Sequence, residues 1–453
     1  MKPTTNDPRR IALSVLNQTS NKTVFCDDLL DTLLRNDAVS VLDKGLATEI
    51  TYGVLKNLLF LDYHIKQFIK SPFNNIQKDI KNILRIAFYQ LLFLNKIPEF
   101  AVVDEAVKMT KETENIKSTG FVNAVLRNFL RSKDSIELPK KEDDFVQYLS
   151  IKYSHPIWLV QYLSRNFSHE IAEEICINGN QTPPVCLRVN TLKISRDDFI
   201  DMLNKSGFSD YRVGEYSPDA VYIKRTGGLK ELDIIKNGFA SVQDESSQLV
   251  ARILDPKPNE IIIDMCAAPG GKTTHIAELQ GDQGKILAFD ISKERLLKVK
   301  EYCHRLGIKS VSICEKTKEE MEKLGENFAD KILVDAPCTG LGTIRRHPDL
   351  RWKKEKADID NCQKLQIEIL LEASNLLKTG GALVYSTCTY TREENEEIIN
   401  NFLAMRREFK RDKIPVNNIN SIKNFMTNSG YIKILPKAND IDGFFIARLR
   451  KEI

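Results

Sequence analysis

Between residues 8 and 130 apolar side chains recur every three or four positions, the spacing of helices with one buried face. Ile11, Val15 and Leu16 share one such face, and Ile80, Ile83, Leu84, Ala87 and Leu91 share another. Glycine and proline are few and read as breaks between the periodic runs, at Gly53, Pro72, Pro98 and Gly120. The run Arg131–Asp144, RSKDSIELPKKEDD, is charged, loses the helical period and carries Pro139, which predicts a linker. From about 145 to 240 the pattern is mixed. CLRVNTLKI from Cys186 and AVYIKR from Ala220 predict strands, and RDDFIDMLNKSG between them predicts a helix stopped at Gly207. From 241 onward short apolar runs alternate with helical ones, the βα signature of a parallel sheet. YIKIL from Tyr431 and GFFIARL from Gly443, with Asp442-Gly443 in the loop between them, predict an antiparallel pair closing that sheet. Met405 to Gly430 is polar and weakly periodic, and no element is assigned to it.

The pattern thus predicts a multidomain chain: an all-α region over 1–135, a small α+β module over 145–235, and a C-terminal α/β Rossmann-like domain over 236–453. The length of 453 residues agrees, being too great for one compact core. With 42% hydrophobic and 28% charged residues the composition is that of a globular protein. The longest apolar run, Ile83 to Leu94, holds Arg85 and Gln90 and is shorter than the roughly 18 residues of a membrane helix. MKPTTNDPRR lacks the apolar centre of a signal peptide. Nine cysteines without a C-x-x-C pair suit neither a secreted disulfide frame nor a zinc knuckle, so the expected compartment is the reducing cytoplasm and no metal is expected. Net charge is +4, and its excess is local: residues 1–140 hold 20 Lys/Arg against 16 Asp/Glu, while 141–453 balance at 46 each. Two readings stay open for that excess, an anionic partner or an ordinary solvated helical surface.

The strand EIIID ends at Asp264 and opens into MCAAPGGKT. In a doubly wound sheet ligands bind beyond the carboxyl ends of the strands, and four such ends can be placed: Met265-Cys266, Asp290, Asp335 to Cys338, and Ser386 to Cys388. Gly270 and Gly271 permit close backbone approach, and the helix that follows offers N–H groups to a carboxylate. Asp290 ends GKILAFD, 19 residues after Gly271, where it can accept hydrogen bonds from a ribose diol. A P-loop is the competing reading of GKT at 271–273. It fails because Cys266 stands where the pattern needs glycine and Pro269 removes an N–H donor. A nucleoside cofactor is therefore expected.

Cys338 lies in LVDAPCTGLGT and Cys388 in LVYSTCTYTREENEE, each just past a short apolar strand. A thiolate and a bound nucleoside cofactor at one sheet edge suit methyl transfer to carbon 5 of a pyrimidine. That carbon is a poor nucleophile until a thiolate adds to carbon 6 and makes it enamine-like. A free thiol has a pKa near ~8.5, so the site must favour the thiolate. Thr391-Arg-Glu-Glu394 reads as a capping box, which predicts a helix starting three residues past Cys388. Asp335 is placed to bond the N3/N4 edge of the base. The remaining cysteines, Cys26, Cys176, Cys186, Cys303, Cys314 and Cys362, read as small buried hydrophobes. Spacing alone does not choose between Cys338 and Cys388 as the attacker. Directly after the Cys338 turn come Arg345, Arg346, His347, Arg351, Trp352 and Lys353. Such a segment can neutralise phosphates and stack on an unpaired base, though Trp352 reads equally well as a core anchor.

These motifs carry a resemblance. DMCAAPGGKT from Asp264, SVQDESSQ from Ser241, DAPCTGLGT from Asp335, RRHPDLRW from Arg345 and STCTY from Ser386 resemble the bacterial RsmB/Sun family of 16S rRNA cytosine-C5 methyltransferases. CLRVNT from Cys186 looks like that family's small RRM-like RNA-binding module. LATEITYGVL from Leu46, RIAFYQLLFLNKIPEFAVVDEAV from Arg85 and FVNAVLRN from Phe121 are similar to the NusB RNA-binding fold. The resemblance implies S-adenosylmethionine as cofactor, held by Cys266, Ala267, Ala268, Pro269, Gly270, Gly271, Lys272, Asp290 and Asp335. It implies that Cys388 attacks and that Cys338 assists release, through a covalent cysteine–cytosine adduct. It also implies 16S rRNA or a small-subunit assembly intermediate as partner of a monomer, with the position called cytosine 967 as target. The family usually carries an Asp near the end of the third strand, touching adenine; VSICEKTKEE offers Glu315 or Lys316 instead. Alternatives are another RNA such as tRNA, or a non-catalytic assembly factor, which the intact Cys338, Cys388 and Asp335 argue against.

Overall fold

The computed structural model describes residues 6–452 except 20, 36–37, 114–115, 134–135, 225–231, 416–418 and 438–439. Parts of three expectations, the linker at 134–135, the end of AVYIKR at 225 and the unassigned run at 416–418, lie outside the described residues. Two compact units are present: Met1–Thr182 with Ile344–Glu355, and Pro183–Thr343 with Lys356–Ile453.

The first unit is helical. Its helices Pro8–Gln18, Cys26–Leu34, Val41–Lys56, Leu58–Lys66, Lys78–Phe93, Glu99–Lys111 and Thr119–Ser132 bury the periodic faces read from the sequence. Asp7 caps the first helix, accepting from the N–H groups of Arg9 at 2.9 Å and Arg10 at 3.1 Å, with Pro8 at the first helical position. Phe88 and Phe129 lie at the centre with ring centroids 4.4 Å apart. Truncating either to Ala would cost about 3–5 kcal/mol. Two supposed breakers are not breaks. Gly120 lies within Thr119–Ser132, and Gly53 lies inside Val41–Lys56, where an added Cβ would sit 1.9 Å from the Tyr89 ring. Gly53 is there for close packing. Three further helices, Phe145–Lys152, Ile157–Asn166 and His169–Asn178, belong to this unit and not to the sheet that follows them in sequence.

The second unit holds two sheets. Strands β1 (Val185–Val189), β2 (Tyr211–Val213), β3 (Ala220–Ile223) and β4 (Ala240–Val242) form an antiparallel sheet in the order β2-β3-β1-β4. The helix Arg196–Lys205 buries Phe199 and Leu203 with Leu187, Val189 and Val221 of this sheet. Strand β4 follows residue 235, so the small sheet runs past the boundary read from the sequence. Strand β1 also ends sooner than CLRVNTLKI suggested, because the Asn190 amide turns to the carbonyls of Gly238 and Leu306 at 2.9 and 3.0 Å.

The larger sheet comprises β5 (Ile261–Asp264), β6 (Lys285–Asp290), β7 (Val311–Glu315), β8 (Ala329–Asp335), β9 (Leu377–Thr387), β10 (Phe409–Arg411), β11 (Ile432–Ile434) and β12 (Phe444–Lys451). Its order is β10-β12-β9-β8-β5-β6-β7, with β11 also paired to β12. Strands β5 to β9 are parallel, and β12 runs antiparallel beside β9. The β11–β12 pair is the one expected, while β10 and the 3-10 turn Asn420–Phe425 fall in the run to which no element was assigned. Helices cover both faces, and β5, β8 and the stretch of β9 from Ala382 to Thr387 are mostly buried, as parallel strands require. Chain order reverses between β5 and β8, so the ligand crevice belongs at the carboxyl ends of these two strands.

Candidate active site

At the end of β5 the chain turns through Cys266–Gly270 into the helix Gly271–Leu279. Gly270 has φ +109°, a conformation that residues with a Cβ rarely adopt, and an added Cβ would lie 3.1 Å from the Val299 Cα. The first N–H groups of the helix have no acceptor within it and face the crevice end of the strand. Arg188 of β1 braces this turn. Its fully buried guanidinium donates to Glu278 at 2.9 and 2.8 Å, to the Gly271 carbonyl at 2.5 Å, to Gln243 at 2.5 Å and to Thr274 at 3.0 Å. The motif CLRVN thus serves the turn as well as its own sheet.

Asp290, at the end of β6, accepts from the Ala268 N–H at 3.2 Å and the Ser292 N–H at 3.0 Å, and Arg295 reaches the Ala268 carbonyl at 2.7 Å. Asp264 accepts from Thr273 Oγ1 at 2.7 Å, and burial pushes its carboxyl up to about 7. Glu315 is exposed at the end of edge strand β7, in register with Asp290. Next to it a cavity of about 720 Å³ is lined by Ile291, Lys316, Thr317, Met321, Glu372 and Leu376. Lys316, not Glu315, faces that cavity, and its ammonium pairs with Glu372 at 2.8 Å. The Asp290 carboxylate, a helix N-terminus and a neighbouring cavity fit a nucleoside that carries an amino acid: an acid for the hydroxyls, N–H groups for the carboxylate.

The ends of β8 and β9 bring the two cysteines together, Sγ to Sγ at 3.3 Å. Lys272 donates to Asp335 at 2.7 Å and Ser386 Oγ donates to the other Asp335 oxygen at 2.7 Å, so one residue of the glycine turn reaches the thiol side. Burial disfavours the Lys272 ammonium, but Asp335 outweighs it and holds the group charged. The two thiols are unequal. The hydrogen bond from Cys338 lowers the pKa of Cys388 against the effect of burial, and Lys272 acts in the same direction. The same bond, then burial and the Glu394 carboxylate, push Cys338 well above the ordinary thiol range. When the pair loses one proton, the one that remains stays on Cys338 and the charge falls on Cys388.

The capping box does not form. The helix begins at Glu396, and Thr391 Oγ1 donates at 2.6 Å to a Glu394 carboxylate that is wholly buried. Glu394 also accepts from the Thr339 N–H at 2.8 Å and the Thr339 Oγ1 at 2.6 Å, in the turn after Cys338. Local pattern reading took a long-range acceptor for a helix cap, and so missed Glu394.

The basic segment after the Cys338 turn also differs from expectation. Arg351 is fully buried in the helical unit, donating to the carbonyls of Ser154 at 3.0 Å and Gly179 at 2.7 Å and to Asn180 at 2.7 Å. Trp352 Nε1 donates to the Leu55 carbonyl at 2.8 Å, and its ring packs on the helical core. Lys353 is buried against Asp349, and Arg345 is buried too. Arg351 and Arg345 are therefore not displayed to a phosphate, and Trp352 is the anchor of the second reading. Arg346 is half-buried, while His347 is exposed and bonds Asp27 at 2.5 Å. Among the other cysteines Cys26, Cys176, Cys186 and Cys303 are buried as read; Cys314 and Cys362 are only partly so. Among the described residues no cluster of metal ligands is present and no helix is long and apolar enough to cross a membrane.

Residues 251–450 match the family described as 16S rRNA methyltransferase RsmB/F, residues 6–131 the NusB family, and residues 155–229 the ferredoxin-like domain of RsmF/B-like methyltransferases. A Bacillus subtilis (strain 168) protein described as "Probable ribosomal RNA small subunit methyltransferase B" is 37% identical over 98% of both chains. The chain belongs to the RsmB/RsmF family. Ribosomal RNA small subunit methyltransferase B of Escherichia coli O1:K1 / APEC is 34% identical over 91% of this chain and 92% of its own. Among solved structures, PH0851 superposes with TM-score 0.81 at 28% identity, covering 98% of this chain and 99% of that one. NSun6 from Pyrococcus horikoshii, solved with SFG, gives TM-score 0.57 at 28% identity over 65% of this chain and 98% of that one. As a family member the chain is an S-adenosylmethionine-dependent rRNA cytosine-C5 methyltransferase with an N-terminal NusB-like domain.

Proposed function

We propose that the chain methylates carbon 5 of one cytosine in 16S rRNA, the position called cytosine 967, through a covalent adduct on Cys388. The observation that carries the adduct chemistry is the unequal thiol pair at 3.3 Å beside the Lys272–Asp335 ion pair. The target position rests on the resemblance to the B-type enzymes. Cys266–Lys272 and Asp290 hold the cofactor, with Lys316 and Ile291 on the adenine side in place of Glu315. Bound S-adenosylmethionine supplies an electrophilic methyl group.

The other steps fall to the chain's own residues. The target base leaves its stack, which favours an unpaired or not yet assembled region of the subunit. Asp335 accepts from its N4 amino group while Lys272 keeps that carboxylate oriented. The Cys388 thiolate adds to carbon 6, and the electron pair shifts to carbon 5, which takes the methyl group. As a thioether, Cys388 no longer accepts the Cys338 proton. Cys338 then gives its own proton to water and, as thiolate, takes the proton from carbon 5. Loss of that proton breaks the sulfur–carbon bond, returns Cys388 as thiolate and restores the aromatic ring. The nine free thiols suit the cytoplasm, where this reading places the enzyme. Bisulfite sequencing of rRNA from cells with and without the gene tests it: one 16S cytosine should lose its mark. An unchanged 16S pattern, or a mark lost from tRNA instead, would sink the rRNA assignment.

A further inference from the structure

Glu394 is a charged side chain with no exposed surface, and catalysis as derived above gives it no task. Leaving a carboxylate without solvent is expensive unless every lone pair is used. Here they are used across two loops. Oε1 accepts from the Thr339 N–H at 2.8 Å and from Gln366 Nε2 at 3.2 Å, while Oε2 accepts from Thr339 Oγ1 and Thr391 Oγ1, both at 2.6 Å. Thr339 is the residue after Cys338, and Thr391 lies three residues after Cys388. The two threonines lie on the two cysteine loops, and Thr339 Oγ1 also meets Thr389 Oγ1, one residue past Cys388, at 3.0 Å. Gln366, on the helix Lys356–Leu376, ties the same point to the Pro337 carbonyl at 2.9 Å.

Resting on the adduct mechanism, we propose that Glu394 is the positioning residue of the thiol pair: it clamps the Cys338 turn to the Cys388 loop so that the two sulfurs stay within proton-transfer reach. The clamp matters after methyl transfer, when Cys338 must meet the proton on carbon 5 of a base already fixed to Cys388. A displacement of about 1 Å at such a step costs on the order of 100-fold in rate.

The experiment uses the full-length enzyme, S-adenosylmethionine and unmodified 16S rRNA, with Cys338→Ala as reference. Glu394→Ala should lower kcat about 100-fold, leave cofactor affinity by calorimetry within about twofold, and accumulate a covalent protein–RNA complex on denaturing gels, as Cys338→Ala does. A structural lesion alone would not trap adduct. Glu394→Gln should stay within about tenfold of wild type, because its amide oxygen keeps the Thr339 N–H and the two hydroxyls can turn to accept from its NH2. If Glu394→Ala does not fold, Thr391→Val decides, since it cuts one arm of the clamp and should trap adduct in smaller amount. Turnover within twofold of wild type and no trapped adduct in the folded variant would overturn the proposal. So would a Gln variant as impaired as the Ala variant, which would make charge, not position, the essential property. If the wild-type enzyme marks no cytosine and Cys338→Ala traps nothing, the adduct mechanism itself fails, an outcome distinct from failure of the clamp.

Discussion

The two halves of the crevice are built from different materials. At the ends of β5 and β6 the parts are mostly backbone: the Gly270 turn, the first N–H groups of the helix Gly271–Leu279, and the Asp290 carboxylate, which bonds the Ala268 N–H of the turn. At the ends of β8 and β9 they are side chains touching side chains: Cys338 on Cys388, Lys272 and Ser386 on Asp335, two threonines on Glu394. A backbone site binds a shape and is spoiled by bulk. A side-chain site moves protons and is spoiled by any change of charge or reach. Lys272 belongs to both, rooted in the turn with its ammonium on Asp335.

The sharpest break of this contrast is at the thiols. Cys388→Ala should lose at least about 10⁴-fold in kcat and trap no RNA, because the nucleophile acts before any other group. Cys338→Ala should still attack and methylate but release poorly, leaving a complex that survives denaturing electrophoresis. The reverse trapping pattern would exchange the two roles. Next in size is Asp264→Asn, read by chemical denaturation at several pH values. The folded carboxyl titrates at about 7, well above its unfolded value near ~3.9. The folded state therefore binds more protons than the unfolded one between these values, and wild-type stability on this account is full below pH ~4 and lost as pH rises through ~7. The Asn variant lacks that loss and should be the more stable form above pH 7 by an amount on the order of 4 kcal/mol. Identical pH slopes for the two proteins would show that Asp264 is not the buried acid described.

Gly270→Val tests the backbone side. Positive φ costs a residue with a Cβ about 1–2 kcal/mol, and the added atoms press on Val299. The expected result is roughly tenfold weaker cofactor binding by calorimetry, with adduct formation on pre-bound RNA unimpaired. Loss of adduct in that variant would merge the two halves. The smallest effect is expected of Lys272→Met. Activity needs the Cys388 thiolate, so kcat/KM rises with pH through the thiol's pKa. Removing a positive charge that lowers that pKa must move the rising limb to higher pH. A limb that stays in place would remove Lys272 from the thiol side.

The backbone half was the more legible in sequence. A strand, a glycine pair and an acid 19 residues on form a local pattern, and the fold placed them as read. The cysteines were legible as strand-end residues because apolar runs precede each, yet their inequality was not, since it depends on a contact 50 positions apart. The same reason explains Glu394 and the segment 345–353. Thr391-x-x-Glu394 satisfies a helix-cap pattern locally, but a partner 55 positions away claims the carboxylate. Arg351 and Trp352 look like surface chemistry in a basic run, but their partners lie 172 and 297 positions away. Charge in a sequence window says nothing about burial when the acceptors are carbonyls from elsewhere in the chain.

That last arrangement bears on the order in which the protein is made. The helical unit is completed by Ile344–Glu355, which begins 162 positions after Thr182. At ~5–20 residues per second the ribosome needs roughly 8–30 s to cover that gap. During that interval the nascent N-terminal helices lack the donor meant for the Leu55 carbonyl and the guanidinium meant for Ser154, Gly179 and Asn180. The unit that begins to emerge first is thus completed only after the Cys338 turn has been made, when most of the second unit, which ends at Ile453, has already left the ribosome.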